Sequence, residues 1–379
     1  MKDSIKIVSI QHDKDNRPDC KNFGVKNAEQ VREFHKSFME YDVTPLVRLD
    51  NLAKHIGIAG LFVKDESFRF GLNAFKVLGG SYAMAQYAQG EKKNITFVTA
   101  TDGNHGRGVA WAASRMGCDA YVYLPKSTAT ERLQNILNLG VHAEITDFSY
   151  DDAVRYAMKM AKENGWILIQ DTSWPGYEDI PTKIMQGYTT MGAEIKEQLR
   201  DVVPTHIFLQ AGVGAMAGAM TAYFSDLYGG KCPKIIIVEP EKANCIYMTA
   251  EASDGQLHYY TGEMDSIMAG LCCGEPCTIA WEIFKDYADY VVACSDKIAE
   301  KGMRLLGKPL GEDKKIISGE SGAVTTGLVA ELMTNPKFAG IREQIGLSDK
   351  STVLCISTEG DTDKENYKKV LFGTYTTNE

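Results

Sequence analysis

From residue 95 onward the chain alternates short apolar runs with longer amphipathic ones, and this rhythm restricts the fold more than any other feature of the sequence. The strand candidates are 95–100, 120–124, 142–145, 166–170, 206–210, 235–239, 290–294 and 353–357. Helical periodicity marks 107–116, 129–139, 150–164, 184–200, 215–227, 296–306 and 322–333, many of them between strands. A strand followed by a turn, a helix and a further strand calls for parallel sheets covered by helices on both faces. At 379 residues the chain has room for two such units. Ahead of this region lie one amphipathic helix, 27–39, a helical run over 81–89 and two short extended pieces, 44–46 and 61–66. Residues 251–277, of mixed polarity with several glycines, read as a long excursion at a domain rim. No internal repeat or low-complexity segment interrupts the pattern.

The net charge is −9, and the basic blocks go no further than pairs such as Lys92-Lys93, Lys314-Lys315 and Lys368-Lys369. Such a surface suits neither nucleic acid nor an anionic membrane, which leaves a small molecule as the expected partner. The N-terminal stretch carries charges throughout, and no apolar run is long enough to span a bilayer, so a cytoplasmic protein is expected. Nine cysteines, an odd number spread over a long chain, favour free thiols over a disulfide framework. The cluster Cys272-Cys273-Gly274-Glu275-Pro276-Cys277 lacks a paired C-x-x-C, and no histidine lies nearer than His258, so no metal centre is expected.

The chemistry centres on Leu72-Asn73-Ala74-Phe75-Lys76-Val77-Leu78-Gly79-Gly80. Gly71 and Asn73 mark a turn, and Val77, Leu78, Tyr82, Met84, Ala85 and Ala88 recur at roughly helical spacing. That predicts Lys76 in the first turn of a helix. The positive end of the helix dipole disfavours an ammonium there by roughly 0.3 to 1 kcal/mol. An amine that must lose its proton, as a Schiff-base lysine does, suits the position. A solvated surface lysine would fit the same letters, so the reading depends on what else the chain supplies.

It supplies two glycine turns. Thr101-Asp102-Gly103-Asn104-His105-Gly106 follows a strand and precedes a helix, which aims backbone N–H groups at one point and makes an anion site for a carboxylate or phosphate. Any tight turn prefers the same residues. Gln210-Ala211-Gly212-Val213-Gly214-Ala215-Met216-Ala217-Gly218 has small side chains that let the backbone close on phosphate oxygens. Glycines at 212 and 214 followed by Glu239 also imitate a dinucleotide fingerprint, with Glu239 on a ribose. A nicotinamide enzyme, however, has no need of Phe75-Lys76 or Asn104-His105-Gly106. A pyridoxal phosphate enzyme needs an imine-forming lysine, a phosphate cradle and a polar residue facing the pyridine nitrogen. Ile356-Ser357-Thr358-Glu359-Gly360-Asp361-Thr362-Asp363 offers the last of these at a strand end.

Phe75-Lys76, Gly103-Asn104-His105-Gly106 and the 212–218 loop together resemble the fold type II pyridoxal phosphate enzymes, the group of threonine dehydratase and the tryptophan synthase β subunit. Within that group, residues 63–67, 69–76, 101–111, 184–188, 317–323 and 356–363 are similar to the diaminopropionate ammonia-lyase family, a similarity that runs over about 42–363. The resemblance implies an α/β chain of two domains, each with a mostly parallel twisted sheet flanked by helices. These would be a large cofactor-binding domain, 1–91 plus 176–379, and a small domain, 92–175, in a chain that forms homodimers. It implies pyridoxal 5'-phosphate on Lys76 beside Phe75, with the phosphate held by Gly212, Val213, Gly214, Ala215 and Met216. Asn104 would meet the ring hydroxyl and either Ser357 or Thr358 the ring nitrogen. Thr101, Asp102, Gly103 and His105 would receive the substrate. Asp102 stands where the dehydratases generally have serine, so a carboxylate there must handle a proton or meet a cation. Asp102 and Asp171 resemble the family's bases for opposite faces of the α-carbon. The implied activity is α,β-elimination of 2,3-diaminopropionate to pyruvate and two ammonia. A serine or threonine dehydratase of the same fold is the alternative, and a nicotinamide oxidoreductase a more remote one.

Overall fold

The computed structural model describes residues 4–12, 19–88, 95–101, 103–126 and 128–373, and among them eleven strands form two sheets. The larger sheet has the order β1 (Ile5–Ser9), β10 (Tyr290–Cys294), β9 (Lys234–Pro240), β8 (His206–Gln210), β11 (Thr352–Ser357), β3 (Gly60–Asp65) and β2 (Leu46–Arg48). Its inner strands are parallel, while β1 and β2 close the edges antiparallel. The smaller sheet, β6 (His142–Ile145), β5 (Asp119–Leu124), β4 (Thr96–Ala100) and β7 (Ile167–Leu168), is parallel throughout. Among the described residues no helix is long and apolar enough to cross a membrane.

Helices cover both faces of the larger sheet, so β3 and β8 are buried along their whole length. Alternation then sorts their side chains. Phe62, Ile207, Leu209, Ile235 and Ile237 enter one core, and Leu61, Val63, Phe208, Ile236 and Val238 the other. All eight expected strands are present. The run over 166–170 pairs only at Ile167–Leu168, because Gln170 gives its N–H to the Tyr177 hydroxyl (2.9 Å) in place of a ladder partner.

Between β3 and Lys76 the backbone enters the left-handed region at Phe70, Gly71 and Asn73 (φ 49°, 69° and 60°). The turn docks on the end of β11. Phe75 N–H donates to the Thr358 carbonyl (3.1 Å), and Gly360 N–H donates to that of Asn73 (3.0 Å). Lys76 stands just ahead of the Val77–Ala88 helix, its carbonyl accepting from Gly80 N–H (3.3 Å), so it caps the helix where the expectation had placed it inside the first turn. The facing helix, Asn104–Met116, approaches this point because residue 108 is glycine. A Cβ there would lie 2.8 Å from Val77 Cα.

Behind the turn lies a fully buried ion cluster. Glu194 accepts from Lys64 (2.6 Å) and Arg69 (2.8 Å), Glu66 accepts from Arg69 (2.8 Å), and the Thr44 hydroxyl donates to Glu66 (2.7 Å). Two acids balance two bases, and the cluster ties β3 and the turn to the Asp179–Leu199 helix. Breaking such a set from one side leaves a buried charge without its partner. Glu194→Gln is therefore expected to destabilise the protein by roughly 3 to 5 kcal/mol. Urea unfolding measures this, and an unchanged midpoint would remove the cluster's structural role.

Candidate active site

The residues that follow β4, β5, β7, β8 and β11, namely Thr101, Pro125, Asp171, Ala211 and Thr358, line one cavity of about 720 Å³. Open parallel sheets bind ligands at the carboxyl ends of their strands, and here both sheets present those ends to the same space. Lys76 reaches into the cavity with its side chain 21% exposed and forms an ion pair with Asp171, which is 4% exposed. Burial pushes the Asp171 carboxyl up, but His105 and Lys76 beside it outweigh burial and hold it at about 2. Asp171 is therefore a carboxylate at neutral pH. Because its folded value is depressed, the pairing stabilises the fold above the usual carboxylate value of about 3.9 and is lost as pH falls through about 2.

His105, expected to receive the substrate, lies beneath the wall. It is 1% exposed, its Nε2 donates to the Ile169 carbonyl (2.7 Å), and its Nδ1 stands 3.9 Å from Asp171. The donor assignment follows because a carbonyl can only accept. His105 thus stands behind Asp171. Thr101 lines the cavity, whereas Gly103 lies off its wall and spends its N–H on the Thr101 hydroxyl (3.0 Å). Asp102 lies outside the described residues.

Gly212, Val213, Gly214, Ala215 and Met216 line the cavity at the start of the Ala215–Tyr228 helix, with Gly214 (φ 99°) as its N-cap. The first-turn N–H groups have no carbonyl of their own helix to bond, and the dipole is positive there, so this end attracts phosphate. On another wall the Thr358 hydroxyl accepts from Gln210 Nε2 (3.0 Å) and faces the cavity. Ser357 is fully buried and donates to the Ser318 hydroxyl (2.7 Å), so of the two expected partners for a ring nitrogen the wall carries Thr358. Phe75 lines the cavity beside Lys76.

The rest of the wall includes Asn104, expected at the ring hydroxyl, and residues such as Gln210, Glu263 and Ser321 that had no role assigned from sequence. Asn104 donates from Nδ2 to the buried carboxylate of Glu359, which fixes the amide at the cavity edge. Glu320 lies against Glu359, and burial together with that neighbour raises its carboxyl to about 7. Parts of the 251–277 excursion, including Glu263, Ser266 and Cys273, form wall as well as rim. Three buried wall atoms, Tyr188 OH, Gln210 Oε1 and Ser321 Oγ, lack a hydrogen-bond partner among the described residues. Each such atom costs roughly 1 to 3 kcal/mol, so the wall suits a ligand rich in polar atoms. A pyridine that bears an aldehyde, a hydroxyl and a phosphate arm fits this donor set. Glu239 does not serve a ribose. Its carboxylate accepts from Ile246 N–H (3.0 Å) and Tyr247 N–H (2.7 Å) at the start of the Cys245–Ala252 helix, which removes the nicotinamide alternative.

An amine, a phosphate cradle and a neutral hydroxyl on the crevice of two parallel sheets define a fold type II pyridoxal phosphate enzyme. Residues 38–359 match the family model described as pyridoxal-phosphate dependent enzyme. The diaminopropionate ammonia-lyase of Escherichia coli K12 is 48% identical over 371 residues, 92% of each chain. The holo crystal structure of the E. coli lyase superposes with a TM-score of 0.93 at 44% identity, covering 99% of this chain and 98% of that one. The same enzyme in complex with an aminoacrylate-PLP azomethine reaction intermediate gives 0.92 at 45% identity, over 98% of both. The chain belongs to the pyridoxal-phosphate-dependent enzymes and, within them, to the diaminopropionate ammonia-lyases, which are carbon–nitrogen lyases.

Proposed function

We propose that Lys76 carries pyridoxal phosphate and that the site eliminates ammonia from 2,3-diaminopropionate, the released aminoacrylate then taking up water to give pyruvate and a second ammonia. The observation that carries this reading is the Lys76–Asp171 pair on the wall of a cavity that also holds the 212–216 cradle. The bound cofactor supplies an electron sink that makes the hydrogen on the substrate α-carbon acidic. Asp171 is one base for that hydrogen. Once the substrate has displaced Lys76 and the lysine stands as a neutral amine, one of the two charges that depress Asp171 is gone and burial makes it a stronger base. Asp102 serves the opposite face and meets the β-ammonium, which leaves well only when protonated. Thr101 and the turn after it take the substrate carboxylate. Asn104, held by Glu359, meets the ring hydroxyl. Thr358 offers a neutral hydroxyl that leaves the ring nitrogen unprotonated, which suits elimination.

The larger sheet draws on β1 to β3 and β8 to β11 and the smaller on β4 to β7, which supports a division into 1–91 plus 176–379 and 92–175. A cytoplasmic homodimer completes the proposal, and nine free cysteines are consistent with that compartment. The test is an absorbance spectrum of the purified protein before and after 2,3-diaminopropionate is added, with pyruvate assayed alongside. A visible band that changes on addition, with pyruvate released, is expected. A colourless protein that makes no pyruvate sinks the proposal, and faster turnover of serine or threonine transfers it to a dehydratase.

A further inference from the structure

Tyr188, on the Asp179–Leu199 helix, is fully buried and stands on the cavity wall. Its ring occupies a slot that the rest of the fold keeps open. Gly79, on the helix that Lys76 caps, has no side chain because a Cβ there would lie 2.6 Å from Tyr188 Cε1 and 2.8 Å from Cζ. Phe75 packs against the ring at 4.8 Å between centroids, and Lys76 Nζ lies 5.9 Å from the same Phe75 ring, so phenol and amine flank one aromatic residue. The hydroxyl has no hydrogen-bond partner among the described residues. A buried phenol without a partner is costly, and a slot this closely fitted holds it at one place on the wall. Its partner has to come from the cavity side.

We infer that Tyr188 donates its hydroxyl hydrogen to the Lys76 nitrogen in the working enzyme and holds that lysine as a neutral amine whenever it is not covalently engaged. The inference rests on Lys76 being the cofactor lysine. An ammonium has no lone pair to accept from a phenol, whereas a neutral amine has one, so the contact selects the uncharged form. Asp171 selects the opposite form, since a carboxylate beside the nitrogen favours ammonium. Lys76 thus sits between two groups that favour different protonation states. The titratable groups facing this pair are Asp171 after β7, His105 on the Asn104–Met116 helix and Cys277 ahead of the Thr278–Tyr287 helix. Burial pushes the Cys277 thiol up, so it adds no charge. Burial also keeps the phenol protonated, with Lys76 pulling it down less than burial raises it. At the end of each turnover Lys76 returns to the cofactor as a nucleophile, and only its neutral form is one.

Tyr188→Phe in the holoenzyme preserves the ring and its slot. We expect kcat near neutral pH to fall roughly tenfold, the scale of one hydrogen bond, while kcat/KM for 2,3-diaminopropionate stays within about threefold. Loss of the donor raises the amine's pKa, so the deficit in kcat shrinks as pH is raised. A second measurement separates this from a folding defect. Removing a hydroxyl that has no partner leaves the melting temperature of the apoprotein unchanged or higher, whereas the increase produced by pyridoxal phosphate becomes smaller. An unchanged kcat and pH profile overturns the inference. So does an apoprotein that loses as much stability as the holoenzyme, which would give the phenol a structural partner. The underlying reading fails independently, if Lys76→Ala keeps the visible band.

Discussion

Lys76→Ala is expected to yield a protein without the visible absorbance of a lysine-bound cofactor and with less than about a thousandth of wild-type turnover, because in the proposed reaction the residue supplies the covalent attachment and the returning nucleophile together. The fold should survive the change. Lys76 is partly exposed and caps its helix through a backbone carbonyl, which alanine also has. The 212–216 cradle is intact in this variant, so pyridoxal phosphate still associates through its phosphate, more weakly and as the free aldehyde. Borohydride reduction of the wild-type enzyme followed by peptide mapping should place the pyridoxyl label on Lys76. A yellow, active Lys76→Ala protein, or a label on another residue, refutes the assignment.

The second large effect concerns stereochemistry. Asp171→Asn keeps the shape of the side chain and removes its charge, so it should lower turnover of one enantiomer of 2,3-diaminopropionate by roughly 10² to 10⁴-fold, the range of a lost general base. The other enantiomer should be affected far less. Asp102→Asn should show the reverse preference. The measurement is kcat for each pure enantiomer with each variant. Equal losses on both would dismiss a base for each face and leave Asp171 as a partner of Lys76 alone.

Much of this was legible in the sequence, for reasons that differ by element. Buried parallel strands are continuous apolar runs, so β8, β9 and β11 stand out, whereas β1, Ile5–Ser9, intersperses a lysine at an edge and passes unnoticed. The short helices Cys245–Ala252 and Thr278–Tyr287 flank the excursion and lack the length that periodicity needs. The lysine turn, the 212–216 loop and a strand-end hydroxyl at 357 or 358 are read from local spacing, and Lys76, the loop and Thr358 line the cavity. The facing of His105 is set by a carbonyl at Ile169, far away in the chain, which no local pattern encodes. Tyr188 reads as an ordinary core aromatic at helical spacing. Only the third dimension shows that its hydroxyl borders an open space.

The docking of the lysine turn on β11 bears on how the enzyme is made. Phe75 is positioned by Thr358, and Asn73 by Gly360, partners that leave the ribosome almost three hundred residues later. β11 itself threads between β3 and β8, so the larger sheet stays open through its middle until synthesis is nearly finished. A growing chain therefore holds no assembled pocket, and a reactive aldehyde in the cell meets a competent amine here only after translation has delivered the final strand.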